Sequence, residues 1–536
     1  GRGRSFPALG KEPPLSSPLH QQLSSLASAD SGALLRSIAR GIEKEGLRIT
    51  EDGKLAQTPH PEGLGSALTN HFITTDFSEA LLEFVTPAFT TTWEALRCIC
   101  DIHQFTYSNL DDEMLWTASM PCRIQADREI PLARYGTSNV GRMKTIYRRG
   151  LGHRYGRQMQ VIAGVHFNYS LPETFWPAYQ SALGGEDSLR DFRSDHYLRM
   201  IRNFRRMGWI VLYLFGCSPA VCKSFAGAAA KLPSLNADTW YEPWATSLRM
   251  SDLGYSNQNQ SKINISLNSV DEYVRDLSNA ICTPEPAYEE LGVKVDGHYR
   301  QLNANLLQIE NEYYSPVRPK RIARSGEQPT AALRRDGIEY VEVRSLDINM
   351  FDPSGINQNT MRFLEAFLIY CLLEDSPSLG EDETQEAARN HTSTAKQGRH
   401  PEFRLMRDGK AVRLRDWAGE IVTKVSAIAE MIDRHDGDDS YVAAVRLQQK
   451  VIDDPEATLS ARIVAELEKT GSSFFELTLG MARCHSDYFS SISPLRDSQA
   501  ALLANEAARS VERQTDIEAA DKISLDEYLQ LYFTAC

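Results

Sequence analysis

The chain has 536 residues, 42% of them hydrophobic, enough for a sizeable core in one elaborated body or in several domains. Its 58 Lys and Arg against 71 Asp and Glu leave a net charge of -13, which repels polyanions and argues against general nucleic-acid binding. No apolar run reaches the roughly eighteen residues that a membrane helix needs, and the opening residues lack the apolar core of a secretion signal, so a cytoplasmic protein with no membrane partner is expected.

Nine scattered cysteines then fit reduced thiols better than a disulfide framework. Residues 1–28, rich in Ser, Pro and Gly, read as a disordered tail. A catalytic body over residues 29–360 mixes short extended runs with helical stretches, and residues 361–536 read as a mainly helical region packed on it.

The first strand-like run, GIEKEGLRI, sets Glu43 and Glu45 on one face about 6.6 Å apart, far enough to serve neighbouring cations. A solvated strand face is the plain alternative. Next, TTDFSEALLEFVTP supplies Asp76, Glu79 and Glu83. A helix would align all three, whereas a turn entering a strand would align Glu79 with Glu83. Glu83 stands among Leu81, Leu82, Phe84 and Val85, where an ionised group is costly unless it meets a cation or an arginine.

The helical run WEALRCICDIHQFTYSNL carries Cys98, Cys100 and His103. On a helix the two cysteines diverge, which leaves too few ligands for zinc and predicts core packing. Between Arg142 and Arg157, Lys and Arg mix with Tyr147, Tyr155 and glycines in a loop able to hold an anionic substrate, with a solvated face as the alternative. Its GLGHRYG has the wrong spacing for a dinucleotide fingerprint, and no P-loop occurs.

In AGVHFNYS, His166 and Asn168 share one strand face and Val165, Phe167 and Tyr169 the other. Arg249 and Tyr255 fall in a polar, loop-rich stretch suited to clamping a carboxylate, and KINISL reads as a strand. The run SPVRPKRIARSGE concentrates Arg318, Lys320, Arg321 and Arg324 in a surface loop or a contact to nucleotide phosphates. GIEYVEVRSLDIN then turns Tyr340, Glu342 and Arg344 to one side and Glu339, Val341 and Val343 to the other, so a carboxylate and a guanidinium share a wall. Helical periodicity follows, interrupted by a polar, mobile connection over residues 378–398, and the C-terminal third is expected to be mainly structural.

These elements predict an α+β fold in which an antiparallel sheet has a polar working face. Glu43, Glu45, Asp76, Glu83, His166 and Glu342 offer many oxygens, one nitrogen and no thiolate, a set that suits Mg²⁺ or Mn²⁺ and not zinc. No Ser-His-Asp or Cys-His constellation supplies a nucleophile.

GIEKEGLRI, HFITTDFSEALLEFVTP, YGTSNVGRMKTIYRRGL, GVHFNYSLP, TSLRMSDLGY, LQIENEYYSPVRPKR and GIEYVEVRSLDIN, taken in order from about residue 40 to 360, resemble the proteobacterial class of the glutamate-cysteine ligase family. The resemblance implies a fold related to glutamine synthetase, with the sheet curved into a funnel and surrounded by helices. It implies ATP-dependent joining of the glutamate side-chain carboxylate to the cysteine amine through γ-glutamyl phosphate, the first step of glutathione synthesis, so that L-glutamate, L-cysteine and ATP are the partners of a monomer or weak oligomer. By the same likeness Glu43, Glu45, Asp76, Glu83, His166 and Glu342 hold Mg²⁺, while Arg344, with Glu342, faces the transferred phosphoryl group. Arg249 engages bound substrate, Phe77, Tyr147, Leu151, Tyr255 and Tyr314 form the cysteine pocket, Arg148 joins the substrate-binding set and Lys320 the ATP-binding set. A carboxylate-amine ligase with another amine acceptor is the nearest alternative. A catalytically dead sensor is a second, disfavoured because every ligand position and Arg344 are retained.

Overall fold

The computed structural model describes residues 34–124, 126–225, 231–254, 260, 263–324 and 327–534. The expected N-terminal tail and Tyr255 lie outside them. One sheet organises the molecule, and all of its pairings are antiparallel. Its strands are β1 (Ala39–Thr50), β2 (Ile73–Thr75), β3 (Leu81–Val85), β4 (Glu113–Leu115), β5 (Val165–Ser170), β6 (Val317–Lys320) and β7 (Tyr340–Leu346). They lie in the order β6, β7, β5, β1, β3, β2, with β4 paired to the far end of β1.

The strand alternation is as expected. Val165, Phe167, Tyr169, Val341 and Val343 are buried on one face, while His166, Glu342 and Arg344 open on the other. The buried face is not uniformly apolar, however. Arg40 of β1 donates to Glu365 at 2.6 Å, and Lys44 lies 2.6 Å from Nε2 of His103, whose Nδ1 donates to the carbonyl of Ile99. Arg40 keeps its charge there through the Glu365 carboxylate, whereas burial pushes Lys44 down to about 7. His103 belongs to α1 (Thr92–Tyr107) and packs edge-on against Phe84, as core packing requires.

Helices lie behind that face: α3 (Leu189–Met207) packs on α4 (Gln358–Leu373), and α6 (Leu414–Asp436) packs on α4 in turn. A single apolar cluster runs from Leu35 to Leu503, so the helices beyond residue 360 share a core with the strands.

Several local expectations are corrected. The basic stretch from Arg142 is not a loop but most of α2 (Asn139–Tyr155), started by Ser138, which caps Gly141 N–H, and ended at Gly156 with φ of 83°. Its Gly150 serves close approach and not a turn, because a Cβ there would stand 2.1 Å from the Gln308 side chain. The basic run at 317 is a loop only in its second half: Val317–Lys320 becomes β6, an edge strand, where Pro319 can sit without costing the ladder a donor, and Arg321 and Arg324 follow it in coil. KINISL forms no strand over 263–267, since Ser266 N–H turns to the Asp276 carboxylate and its hydroxyl to Glu272. The polar connection at 378–398 is mostly α5 (Glu381–Gln397), which opens with Glu381, Asp382 and Glu383 at the positive end of the dipole and buries Ala387, Asn390, Thr394 and Ala395. The cysteines are not all reduced: Cys122 and Cys222 form a disulfide across a separation of 100 residues, and Cys282 is also disulfide-bonded. Pairing of the first two follows from position, since their backbones meet with Cα atoms 5.4 Å apart, which spacing along the chain does not reveal.

Candidate active site

The open face of the sheet forms the floor of a cavity of about 910 Å³. Glu43 and Glu45 reach it from β1, Glu83 from β3, His166 from β5, Lys320 from β6, and Glu342 and Arg344 from β7. Register explains the convergence, because Glu43 lies opposite His166, Glu45 opposite Glu83, and Glu342 opposite Asn168. A register shift between Val343 and Leu346 then frees part of β7 beside Arg344, a bulge of the kind that re-aims side chains at functional sites.

Two clusters share this floor. In the first, ligand atoms of Glu43, His166 and Glu342 lie within 4.8 Å of one another. His166 Nδ1 is 3.1 Å from Glu43 Oε2, and Asn168 donates to the other oxygen at 2.8 Å. Lys320 donates to Glu342 at 3.4 Å and Arg344 at 3.0 Å. Burial pushes the Glu342 carboxyl up, but Lys320, Arg344 and His166 outweigh it and hold it well below the usual carboxylate range. Glu43 is likewise held low, against burial, by its bond to His166. Burial and then Arg344 push His166 down, which favours the neutral imidazole that can donate a lone pair to a metal.

The second cluster has fewer cations to answer it. Burial and Asp76 push Glu45 up to about 8 and drive Glu83 well above the carboxylate range. Directly opposed like charges destabilise a sheet, so Glu45 facing Glu83 is costly without a cation. Together the two donor sets are oxygen-rich, with His166 of the first set as their one imidazole, the chemistry of a hard divalent ion, and the residues fit that group.

Most predicted residues line the cavity: Asp76, Tyr147, Arg148, Leu151 and Tyr314 join the seven above. Arg148 Nη2 stands 3.5 Å from the Asp76 carboxylate and the guanidinium lies over the Tyr135 ring. Two do not reach the cavity wall. Phe77 is 1% exposed and belongs to the core beneath α2, because the chain turns there between β2 and β3 and points the ring inward. Arg249 lies one layer below the floor, donating to the carbonyls of Leu346 and Arg344 at 3.2 and 3.0 Å. Glu79 also points away and accepts the amides of His60 and Arg134 instead.

Sequence reasoning gave no role to several wall residues. Arg154 is ion-paired with Glu312 at 2.9 Å, and Tyr155 donates to the same carboxylate at 2.6 Å. Gln260 donates to the Glu312 carbonyl and accepts from the Tyr314 N–H. Tyr528 and Tyr532 come from the last helix. Arg154 stood inside a noted basic run, and a Ser-x-x-Glu capping box ahead of DEYLQLY marked the last helix, but neither pattern says which cavity it meets.

An α+β molecule whose one-sided sheet gathers carboxylates against guanidinium and ammonium groups is built to hold a divalent cation together with an anionic ligand. A family model described as "Glutamate-cysteine ligase" matches residues 23–394. A glutamate-cysteine ligase of Alcanivorax borkumensis is 50% identical over 522 residues, covering 96% of this chain and 99% of its own, and one from Pseudomonas putida (strain W619) is 46% identical over 500 residues, covering 93% and 95%. The crystal structure of glutamate-cysteine ligase from Francisella tularensis in complex with AMP superposes with a TM-score of 0.88 at 37% identity, covering 93% of this chain and 99% of that one. A bifunctional glutathione synthetase from Pasteurella multocida shares the fold, with a TM-score of 0.69 at 24% identity over 90% of this chain and 57% of its own.

The chain belongs to the glutamate-cysteine ligase family. Its activity is the family's, ATP-dependent joining of glutamate to cysteine, the first step of glutathione synthesis. Likeness to the relatives runs well past residue 360, where the sequence motifs end. Among the described residues no helix is long and apolar enough to cross a membrane.

Proposed function

We propose that the open face of the sheet binds ATP, L-glutamate and L-cysteine in one cavity and divides their chemistry between its two ends. The observation that carries this reading is the trio of Glu43, His166 and Glu342, gathered within 4.8 Å and flanked by Arg344 and Lys320. A carboxylate is a poor acyl donor, so the γ-phosphoryl group of ATP passes to the glutamate γ-carboxylate, releasing ADP. The free amine of cysteine then attacks the acyl carbon, the C–O bond to phosphate breaks, and inorganic phosphate leaves.

Arg344 and Lys320 are placed to offset charge on the phosphoryl oxygens during transfer, from a partly exposed wall. Glu43, His166 and Glu342 would hold one divalent ion, and Glu45, Glu83 and Asp76 another. When bound there, Mg²⁺, or Mn²⁺ in its place, supplies positive charge that offsets the triphosphate and polarises its oxygens. Tyr147, Leu151 and Tyr314 form the acceptor side, with Arg148 beside them. Arg249 holds the floor through the backbone of Arg344 and Leu346. A reaction that consumes ATP agrees with the cytoplasm expected from the sequence.

Phosphate release tests the reading. It is expected to require glutamate and to be fastest with cysteine among cysteine, 2-aminobutyrate, glycine and ammonia. Equal or faster release with glycine or ammonia would assign the site to a different amine.

A further inference from the structure

The family match ends at residue 394, and the roles assigned above stop at Arg344. Yet the far end of the chain returns to the cavity. The arm begins with α7 (Asp497–Ala520), whose Ser510 accepts the amide of Ser66 at 2.8 Å and whose Gln514 accepts the Ser66 hydroxyl at 2.5 Å. It then meets the start of α2. Glu518 accepts the amide of Thr137 at 2.8 Å, Asp521 accepts the amide of Asn139 at 2.5 Å, and the carbonyl of Ile523 accepts the Asn139 side chain at 3.0 Å. Two carboxylates at the positive end of a helix dipole, bonded to amides there, fix that end electrostatically as well as sterically.

The arm finishes as α8 (Leu525–Tyr532), opened by a capping box between Ser524 and Glu527. Leu525 and Leu529 are buried with Met143 and Ile146 of α2, in a cluster that Tyr147 packs against. Asp526 anchors the outer side through Lys294 at 2.8 Å and Tyr299 at 2.5 Å, while Gln328 donates to the carbonyl of Tyr532 at 3.1 Å. This seating turns Tyr528 and Tyr532 toward the catalytic cavity, next to the α2 face that bears Met143 and Tyr147.

We propose that the C-terminal arm is part of the acceptor site: Glu518, Asp521, Leu525 and Leu529 position α2, and Tyr528 and Tyr532 form the wall that closes over the incoming amino acid. The inference rests on the reading of Tyr147 and Leu151 as the acceptor side. A structural tail would stabilise the fold without touching substrate preference. An arm that sets α2 and supplies part of the wall changes how tightly the acceptor is held while leaving the phosphoryl end alone.

The test is steady-state kinetics on Asp521→Ala, Leu529→Ala and the Tyr528→Ala/Tyr532→Ala pair, with KM measured separately for cysteine, glutamate and ATP. KM for cysteine is expected to rise about tenfold in each, with KM for ATP within about twofold of wild type. Tyr528→Phe/Tyr532→Phe is expected to restore it, because the wall acts through apolar ring area. The tyrosine pair lies on the cavity wall outside the main core, so it decides the matter even if Leu529→Ala fails to fold. Unchanged KM for cysteine in that folded pair, or a rise in KM for ATP instead, would overturn the inference. Either result with cysteine still the preferred acceptor of the wild type leaves the proposed function standing. Wild-type preference for another amine removes that reading instead.

Discussion

Glu342 is 1% exposed and remains ionised because three positive or proton-sharing neighbours, Lys320, Arg344 and His166, surround its two oxygens. On the proposed reading, removing Glu342 or Arg344 takes away charge beside the transferred phosphoryl group, with little effect on the core behind the sheet. Glu342→Ala and Arg344→Ala are each expected to keep the wild-type circular dichroism spectrum and to lose about 10²–10³ in kcat. Wild-type turnover in either variant would contradict the assignment. Glu83 announces itself in the sequence because apolar neighbours make a buried charge conspicuous. Glu79 is identical in type and close in spacing, and only the turn before β3 sends it to the amides of His60 and Arg134. Phe77 and Arg249 stand within or next to site motifs and still point away from the cavity, since a motif fixes order along the chain and not side-chain direction.

At the scale of elements, β1, β5 and β7 were legible because their side chains alternate, whereas β6 was hidden in a basic run and KINISL forms no strand. The helix α2 was not legible, because Gly150 and Gly152 read as turn signals, whereas Gly150 is there for close packing against Gln308. Gly164 is the same kind of residue with a sharper consequence. Its N–H donates to Glu45 at 2.7 Å, and a Cβ would stand 2.1 Å from the Arg249 guanidinium. Gly164→Ala must push Arg249 from the carbonyls under Arg344, so we expect a fall in kcat of about tenfold or more with KM for cysteine nearly unchanged. Unaltered kcat would show that Arg249 does not support the floor. The helix α5 was hidden for another reason: its exposed face is polar throughout, and Ala387 and Ala395 carry too little apolar signal to mark the buried one.

Across the whole molecule, fold class and the acidic floor could be read from the sequence, but the return of the C-terminal arm could not, since more than 350 residues separate Tyr147 from Tyr528. The electrostatics of the floor also set a property of the entire fold. A carboxyl whose folded pKa lies above its unfolded value contributes stability at low pH and loses it as pH rises. Glu45, pushed up to about 8 by burial and by Asp76, thus makes the metal-free chain less stable as pH climbs from about 4.5 toward 8. The thermal midpoint of EDTA-treated protein is expected to fall between pH 6 and pH 8, and Mg²⁺ to raise it more at pH 8 than at pH 6. Glu45→Gln is expected to flatten the slope, and the same slope in that variant would count against a strained Glu45–Glu83 pair. The same reasoning predicts slower amide exchange in β1 and β3 when Mg²⁺ is added; equal exchange with and without it would contradict a cation-stabilised floor.

The convergence of these side chains into one cation-holding floor is tested most directly by Mn²⁺ binding, followed through electron paramagnetic resonance of the free ion, in wild type, Glu342→Gln and Glu83→Gln. The structure predicts that wild type removes Mn²⁺ from solution and that each variant leaves more of it free, from its own end of the floor. Undiminished binding in both variants would contradict it.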